Sequence, residues 1–350
     1  MSEIQVKNKQ RESNFELLRI IAMFMVLILH TEPPVEHNPQ LSELWIWNVF
    51  HYLCIIAVDL FVFISGFFGI RSTPKAFLKF LVPPTVYTIV LGVLVDEPTL
   101  RIPPFFTSPW WFVNTYFLLM LFAPFLNIVI KNTSKKQHLF FVISISFLNL
   151  WQGFLQQQEG LLSGLTIANF INIYVFAQYY RKYGIEINVL KKTYYNLLMF
   201  ILPFLVAITI YVIKFHAIKY VMLGLVNYYN SPLVLFGAFM VFQIFENIKI
   251  KSTLINWIAS SSFSVYLISN FYYFREHWYK PFWAYIDENL YIFMGDQKST
   301  LSHLLIYILV AICINIGIFM ICILIDKFRG LITNRVEIAL SNKIIKILKL

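Results

Sequence analysis

Residues 15–34, FELLRIIAMFMVLILHTEPP, are apolar enough to form a membrane-spanning helix, yet they contain Arg19 and His30. Both side chains are costly to place in lipid, so ionisable residues within membrane spans usually face a bundle interior or a wet cavity. Eleven positions of a helix correspond to about 1100° of rotation, which is about 20° past three full turns. Arg19 and His30 are therefore predicted to share one helix face, about 16 Å apart along the axis.

The composition of the chain indicates a polytopic membrane protein. Of the 350 residues, 59% are hydrophobic and only 13% are charged, whereas about a quarter of the residues of a soluble domain are charged. The three cysteines lie in apolar stretches without a metal-ligand spacing, so we expect neither a metal nor a disulfide framework. The net charge of +10 follows from short basic loops, and we expect no nucleic-acid partner.

The apolar segments predict an all-α bundle of about ten transmembrane helices. A helix needs about 20 apolar residues to cross a bilayer, and long apolar runs without alternation exclude a barrel. The predicted spans are 15–32, 44–70, 76–96, 109–130, 138–155, 166–180, 194–214, 220–246, 254–274 and 301–325. The sixth span is short, and a broken or re-entrant helix is its alternative.

The distribution of positive charge predicts the orientation. With a cytoplasmic N-terminus, 21 Lys and Arg residues fall on the inner side and 6 on the outer side. Because inner loops carry this excess, both termini are predicted to be cytoplasmic. The expected divisions are a cytoplasmic segment 1–14, a membrane domain 15–325 and a cytoplasmic basic tail 326–350. The chain is thus predicted to be a multi-pass protein in contact with the lipid of the plasma membrane.

Several motifs resemble the bacterial membrane acyltransferase-3 family. Arg19 followed by His30 is similar to its first-span signature, and VDLFVFISGFFGIR (58–71) is similar to its Val-Asp-Leu-Phe-Phe and Ser-Gly-Phe pattern. Later blocks of the family resemble three further stretches, WWFVNTYFLLMLFAPFLN (110–127), YNSPLVLFGAFMVF (229–242) and ASSSFSVYLIS (259–269). The resemblance covers residues 14–325. The later blocks look most like the subgroup that O-acetylates cell-surface polysaccharides.

Two positions depart from the family pattern. Ser269 stands where many members have a histidine in the ninth span, so any role of that histidine is missing or moved. Many members have an arginine pair after the second span, where this chain has Arg71, Lys75 and Lys79. Lysine keeps the positive charge but lacks the bidentate fork that arginine offers to a phosphate.

The resemblance implies transfer of an acyl group, usually acetyl, from acyl-CoA to a sugar hydroxyl of an envelope polysaccharide or its precursor. A hydroxyl needs a base whose pKa lies near the working pH, and histidine provides one. His30 is therefore predicted to act as a general base, or to carry the acyl group itself. Asp59, within the second span, is predicted to orient His30 or to pair with Arg19, and structural pairing with another polar group is the alternative. These three are the predicted catalytic residues.

The acetyl-CoA site is predicted at the cytoplasmic side. Arg71, Lys75 and Lys79 follow an i, i+4, i+8 spacing and would share one helix face, and the resemblance implies that they contact the phosphates. Arg19 is predicted to reach a phosphate or the pantetheine group deeper in. Snorkelling of Arg19 toward the surface, paired with Glu16, is the alternative. Basic residues of an inner loop also need no ligand.

Polar and aromatic side chains within the spans are candidates for binding the acceptor carbohydrate and the oxyanion of the intermediate. The predicted substrate-binding residues are Trp111, Asn114, Tyr116, Asn230, Ser231 and Tyr266. Trp111 offers an aromatic face to a sugar, and an interfacial aromatic belt is the alternative. The outer stretch 275–300 is a candidate cover for this site.

Two other functions remain compatible with the sequence. A glycan transporter or flippase would use Arg19, Asp59 and His30 as a polar pathway. A sensor or assembly protein would keep the acyltransferase frame without the activity, and the missing ninth-span histidine keeps this interpretation open. The acceptor sugar, the size of the acyl group and the oligomeric state are not readable from the sequence.

Overall fold

The computed structural model describes residues 12–34, 41–94, 110–185, 192–213, 219–294 and 300–348. Within these ranges, the regular elements are all helical, and the predicted all-α bundle is confirmed. The α-helices are α1 (Ser13–Leu29), α2 (Leu41–Tyr52), α3 (Ala57–Phe68), α4 (Pro74–Leu94), α5 (Trp111–Asn132), α6 (Lys135–Leu148), α7 (Ile167–Tyr183), α8 (Thr193–Val212), α9 (Lys219–Asn227), α10 (Pro232–Glu246), α11 (Thr253–Ala259), α12 (Ser262–Ser269), α13 (Tyr272–Phe274), α14 (Lys280–Met294) and α15 (Thr300–Leu348). Two π-helical segments, Asn149–Leu155 and Arg275–Tyr279, and a 3₁₀ turn, Leu162–Gly164, complete the described elements.

Seven helical segments within the described ranges are long and apolar enough to cross a membrane. They are Ser42–Phe68, Pro74–Leu94, Trp111–Asn132, Lys135–Leu155, Thr193–Val212, Tyr220–Glu246 and Leu301–Arg335. Three predicted spans are shorter. Spans 15–32 and 166–180 correspond to α1 and α7, of 17 residues each, and the span 254–274 is divided among α11, α12 and α13. Since α7 is continuous, the alternative of a broken sixth span is wrong.

Large apolar side chains cover the outside of the bundle. Phe125, Phe140 and Leu309, on three different helices, are 67%, 73% and 62% exposed. Soluble monomers rarely expose contiguous apolar patches of this kind, whereas a lipid-facing surface is apolar throughout. The chain is therefore a multi-pass membrane protein.

Helices α1 and α3 occupy the centre of the bundle. Helix α1 packs against α3, α10, α11, α12 and α15, and α3 packs against α7 and α10 as well. At Gly66 on α3, an added Cβ would lie 2.9 Å from the Cβ of Ala177 and from the Cα of Tyr174. A glycine at this contact lets α3 and α7 approach closely. This close packing fixes which face of α3 turns toward α1.

The inner end of the bundle is the end that carries Arg71 and Lys79, and the charge distribution predicts it to be cytoplasmic. Helix α15 continues through this end without a break and is 49 residues long, which corresponds to about 73 Å. Asp326 accepts hydrogen bonds from Tyr87 on α4 at 3.1 Å and from Ser264 on α12 at 2.6 Å. The predicted start of the tail at residue 326 therefore lies within a packed helix.

Candidate active site

A cavity of about 560 Å³ lies between α1, α3, α4, α5 and α12. Helix α1 and its C-cap residue contribute Leu29 and a stripe at intervals of about one helical turn, namely Arg19, Met23, Val26 and His30. Residues three, four and seven positions apart share one helix face, so this stripe is one side of α1. The sequence spacing and the structure thus bring Arg19 and His30 to the same cavity, which we call the main cavity.

His30 caps the C-terminus of α1 and lies toward the outer half of the main cavity. Its Nδ1 lies 2.7 Å from the carbonyl oxygen of Val26. Because a carbonyl only accepts, this contact assigns the hydrogen to Nδ1 and leaves Nε2 as the basic nitrogen of the neutral ring. No described residue bonds to Nε2. The helix therefore holds the tautomer in which Nε2 can remove a proton.

The inner end of the main cavity is lined by three cationic side chains, Arg19, Arg71 and Lys79. Arg19 also forms an ion pair with Glu16, which precedes it by one turn. Lys75 lies on the same helix as Lys79, one turn before it, but is not part of the lining. Three of the four residues predicted to bind acetyl-CoA are therefore brought together, and Lys75 is not.

Helix α3 turns two faces to two different cavities. Val58, Phe61 and Ser65 line the main cavity. Asp59 and Phe63 line a second cavity of about 240 Å³ on the other side of α3. Adjacent helix residues are rotated by about 100°, so Val58 and Asp59 cannot share a face.

Asp59 does not form the predicted pair with His30 or Arg19. Its side chain is fully buried, and no described residue donates a hydrogen bond to either carboxylate oxygen. The ion pair of Arg19 is with Glu16. The prediction used the depth of Asp59 in its span, and the face of α3 that meets α1 cannot be read from that depth.

Of the six predicted substrate-binding residues, half line the main cavity. Those in the lining are Trp111, Tyr116 and Tyr266, and those outside it are Asn114, Asn230 and Ser231. The Tyr116 hydroxyl donates a hydrogen bond of 2.8 Å to Ser65 on α3. The Trp111 ring lies 5.5 Å from the ring of Tyr229.

Asn230 and Ser231 have structural contacts in the break between α9 and α10. The Ser231 hydroxyl accepts hydrogen bonds from the backbone N–H groups of Leu233 and Val234, which makes it the N-cap of α10. The Asn230 amide donates to the carbonyl oxygen of Leu161 at 3.2 Å. Both contacts satisfy backbone polar groups where the helix is interrupted. They indicate a structural role for these two residues and no role at the main cavity.

Ser269 and the predicted cover also lie outside the lining of the main cavity. The Ser269 hydroxyl donates to the carbonyl oxygen of Val265, four residues earlier, at 2.8 Å. Within the stretch 275–300, residues 275–294 are helical, and 295–299 lie outside the described residues. Trp283 of α14 packs against Tyr307 of α15, so this segment is docked on the last helix.

Sequence reasoning missed Tyr229, which lines the main cavity, and Arg275, which lies within electrostatic range of His30. Tyr229 stands beside the predicted Asn230 but is one of 20 tyrosines, and Arg275 was counted only as an outer-loop charge. Neither carries a spacing signal, because both reach the site from other parts of the chain. Among the described residues, no group of three or more His, Cys, Asp or Glu side chains is arranged to hold a metal.

A family model for the acyltransferase-3 group, described as an acyltransferase domain, matches residues 12–325. The chain belongs to this acyltransferase family. No curated protein and no solved structure matches the chain. The multi-pass bundle and the family together show a membrane acyltransferase, and the match spans the helices that line the main cavity.

Proposed function

We propose that this membrane acyltransferase moves an acetyl group from acetyl-CoA to a hydroxyl of a cell-envelope polysaccharide or its lipid-linked precursor. The observation that carries the proposal is one cavity with cations at the inner end and His30 toward the outer half. Acetyl-CoA is made in the cytoplasm, and surface polysaccharides are completed outside. With cations at one end and His30 at the other, the cavity would take the donor from the inner side and the acceptor from the outer side.

The inner end suits the phosphates of the donor. Arg19 and Arg71 offer guanidinium groups that bind phosphate through paired hydrogen bonds, and Lys79 adds a mobile charge. Arg19 and His30 are eleven residues apart on one helix face, which places them about 16 Å apart along the axis. The pantetheine arm would cover this distance along an apolar wall that includes Met23 and Phe80.

His30 would perform the proton transfer. Its Nε2 removes the proton of the acceptor hydroxyl as that oxygen attacks the thioester carbonyl carbon, and the imidazolium then gives the proton to the departing thiol. In the alternative route, Nε2 itself attacks the thioester and forms an acyl-histidine that the acceptor hydroxyl later cleaves. Both routes need the Nδ1 hydrogen to be held by the Val26 carbonyl.

The outer part of the main cavity suits a carbohydrate. Trp111 and Tyr229 are two adjacent aromatic rings in the lining, and flat aromatic faces pack well on sugar C–H surfaces. The resemblance to the polysaccharide subgroup supports the same acceptor class. No observation favours the transporter alternative, because Asp59 lines the other cavity and forms no hydrogen bond with Arg19 or His30 that would continue the polar pathway.

The test is the O-acetyl content of the envelope polysaccharides in the native host. We would compare wild type, a deletion strain, His30→Ala and His277→Ala at matched protein levels in the membrane. His277 is an exposed histidine outside the lining and serves as the control. We expect base-labile acetyl groups to be lost in the deletion and in His30→Ala and retained in His277→Ala. Unchanged acetyl content in the deletion strain would exclude the proposed acceptor class.

A further inference from the structure

Tyr229 is held at the wall of the main cavity by both of its backbone polar groups. Its N–H donates to the carbonyl oxygen of Ser163 at 2.9 Å, and its carbonyl oxygen accepts from the amide of Asn169 at 3.3 Å. The Asn169 side chain is fully buried and is itself fixed by the amide of Asn149 at 2.8 Å. Tyr229 lies in the break between α9 and α10, yet it is anchored to α7 and to the 3₁₀ turn.

The turn that accepts this hydrogen bond has an unusual backbone. Ser163 has φ 58° and Gly164 has φ 75°, both in the left-handed region. An added Cβ at Gly164 would lie 2.4 Å from the backbone nitrogen of Asn230. Backbone conformations of this kind persist only where the surrounding structure determines them, and they cluster at functional sites. The turn is thus pressed directly against the segment that presents Tyr229.

The anchored residue presents a hydroxyl without a protein partner. Tyr229 lines the main cavity together with His30. No described residue forms a hydrogen bond with its hydroxyl, and that oxygen is not among the enclosed, unsatisfied polar atoms of the described residues. By contrast, the hydroxyl of Tyr116 in the same lining is engaged with Ser65. Tyr229 therefore has an O–H group available to a ligand of the cavity.

Tyr229 has polar neighbours on both sides of α3. It lies within electrostatic range of Asp59 and of Tyr266, and Tyr266 lines the main cavity together with His30. Hydrogen-bond donors placed where negative charge develops usually contribute the largest single share of acyl-transfer catalysis.

We infer that Tyr229 is a catalytic residue that donates a hydrogen bond to the oxyanion of the tetrahedral intermediate, an inference that rests on the proposed function. As the acceptor oxygen attacks the thioester carbon, the electron pair of the C=O bond moves onto oxygen, and the Tyr229 O–H stabilises that charge. His30 Nε2 takes the acceptor proton. Collapse re-forms C=O and breaks the C–S bond, and the imidazolium returns its proton to the departing sulfur. Tyr229 keeps its own proton throughout.

The test uses Tyr229→Phe in the full-length protein, purified into lipid nanodiscs, with acetyl transfer from acetyl-CoA to native-host envelope polysaccharide as the readout. The substitution removes the hydroxyl but keeps the ring that packs on Trp111. Loss of one oxyanion donor lowers kcat by about 100- to 1000-fold, and we expect the KM for acetyl-CoA to stay within twofold. The control is Tyr228→Phe, since Tyr228 is the preceding residue and lies outside the lining. It should remain within twofold of wild type.

Two outcomes separate this inference from the proposed function. If wild type transfers acetyl, His30→Ala does not, and Tyr229→Phe keeps more than a third of the wild-type kcat, the inference fails and the proposed function stands. If wild type itself does not transfer acetyl, the proposed function fails.

A second measurement covers the case in which Tyr229→Phe does not fold. 3-Fluorotyrosine at position 229 changes the acidity of the phenol with little change of shape. A changed kcat supports the donor role, and an unchanged kcat overturns it.

Discussion

The two cavities on either side of α3 both contain an ionisable residue within the membrane, but they differ in what surrounds it. The main cavity, of about 560 Å³, combines His30 with cations at the opposite end. The second cavity, of about 240 Å³, has Asp59 without a hydrogen-bond donor among the described residues. A charge inside a membrane span is a functional candidate by default. The comparison shows that its neighbours decide whether it can take part in a reaction.

The largest effect among the substitutions that test this comparison is expected at Arg19. Arg19→Ala removes a charge-assisted hydrogen bond to the donor, worth about 1.5–3 kcal/mol, which corresponds to about a 10- to 150-fold loss in kcat/KM. Most of the loss should appear as a higher KM for acetyl-CoA, measured in nanodiscs. Lys131→Ala, an exposed inner-end cation outside the lining, is the control. An unchanged KM in Arg19→Ala would show that the phosphates bind elsewhere.

The next effect distinguishes the two lysines of α4. Lys79 lines the main cavity, and Lys75, one turn earlier, does not. We expect Lys79→Ala to raise the KM for acetyl-CoA by about two- to fivefold, since an exposed charge contact is worth up to about 1 kcal/mol. Lys75→Ala should stay within twofold. Equal effects of the two substitutions would mean that general surface charge attracts the donor, with no defined contact.

A smaller effect is expected at Asp59, whose substitution tests the second cavity. Asp59→Asn keeps the shape and removes the ionisable group. We expect kcat to remain within about threefold of wild type and the melting temperature to be unchanged or higher, because a buried carboxylate without a donor is costly. A kcat loss comparable to that of His30→Ala would show that Asp59 takes part in the reaction and would undo the comparison.

The smallest effect is expected in the π-helical segment Arg275–Tyr279, on the predicted outer side, where Glu276 pairs with Arg275 and Lys280. The hydrogen bond from Lys280 is the main cause that lowers the pKa of Glu276 below its ordinary value. Both ion pairs are therefore fully formed above the ordinary pKa of a glutamate, and they are lost as the pH falls through the lowered pKa of Glu276. Glu276→Gln should change kcat less than twofold, and its melting temperature relative to wild type should not vary between pH 6 and pH 8. A difference that grows across this range would contradict the assignment.

The sequence predicted those features that depend on a single helix. The spacing of Arg19 and His30 brings both to one face of α1, and apolar run length predicts the long spans. Features that depend on two segments were missed. The face of α3 that carries Asp59 is set by packing at Gly66, and Tyr229 reaches the main cavity through an anchor on α7.

The sequence patterns also did not predict the local breaks in the helices. Ser231 appeared as a polar residue within a long apolar run, but the chain breaks there and uses it as the N-cap of α10. Asp326, at the predicted start of the tail, is satisfied by hydrogen bonds inside the bundle, and α15 continues past it. A charged residue with buried partners costs far less than composition suggests.

The most direct measurement of the central claim compares wild type and His30→Ala in nanodiscs for binding of acetyl-CoA and for transfer of its acetyl group. If the main cavity holds the donor at its cationic end and reacts it at His30, the variant binds acetyl-CoA with an affinity within about threefold of wild type and loses transfer by at least about 100-fold, the lower range for removal of a general base. A variant that transfers acetyl at the wild-type rate would contradict the account.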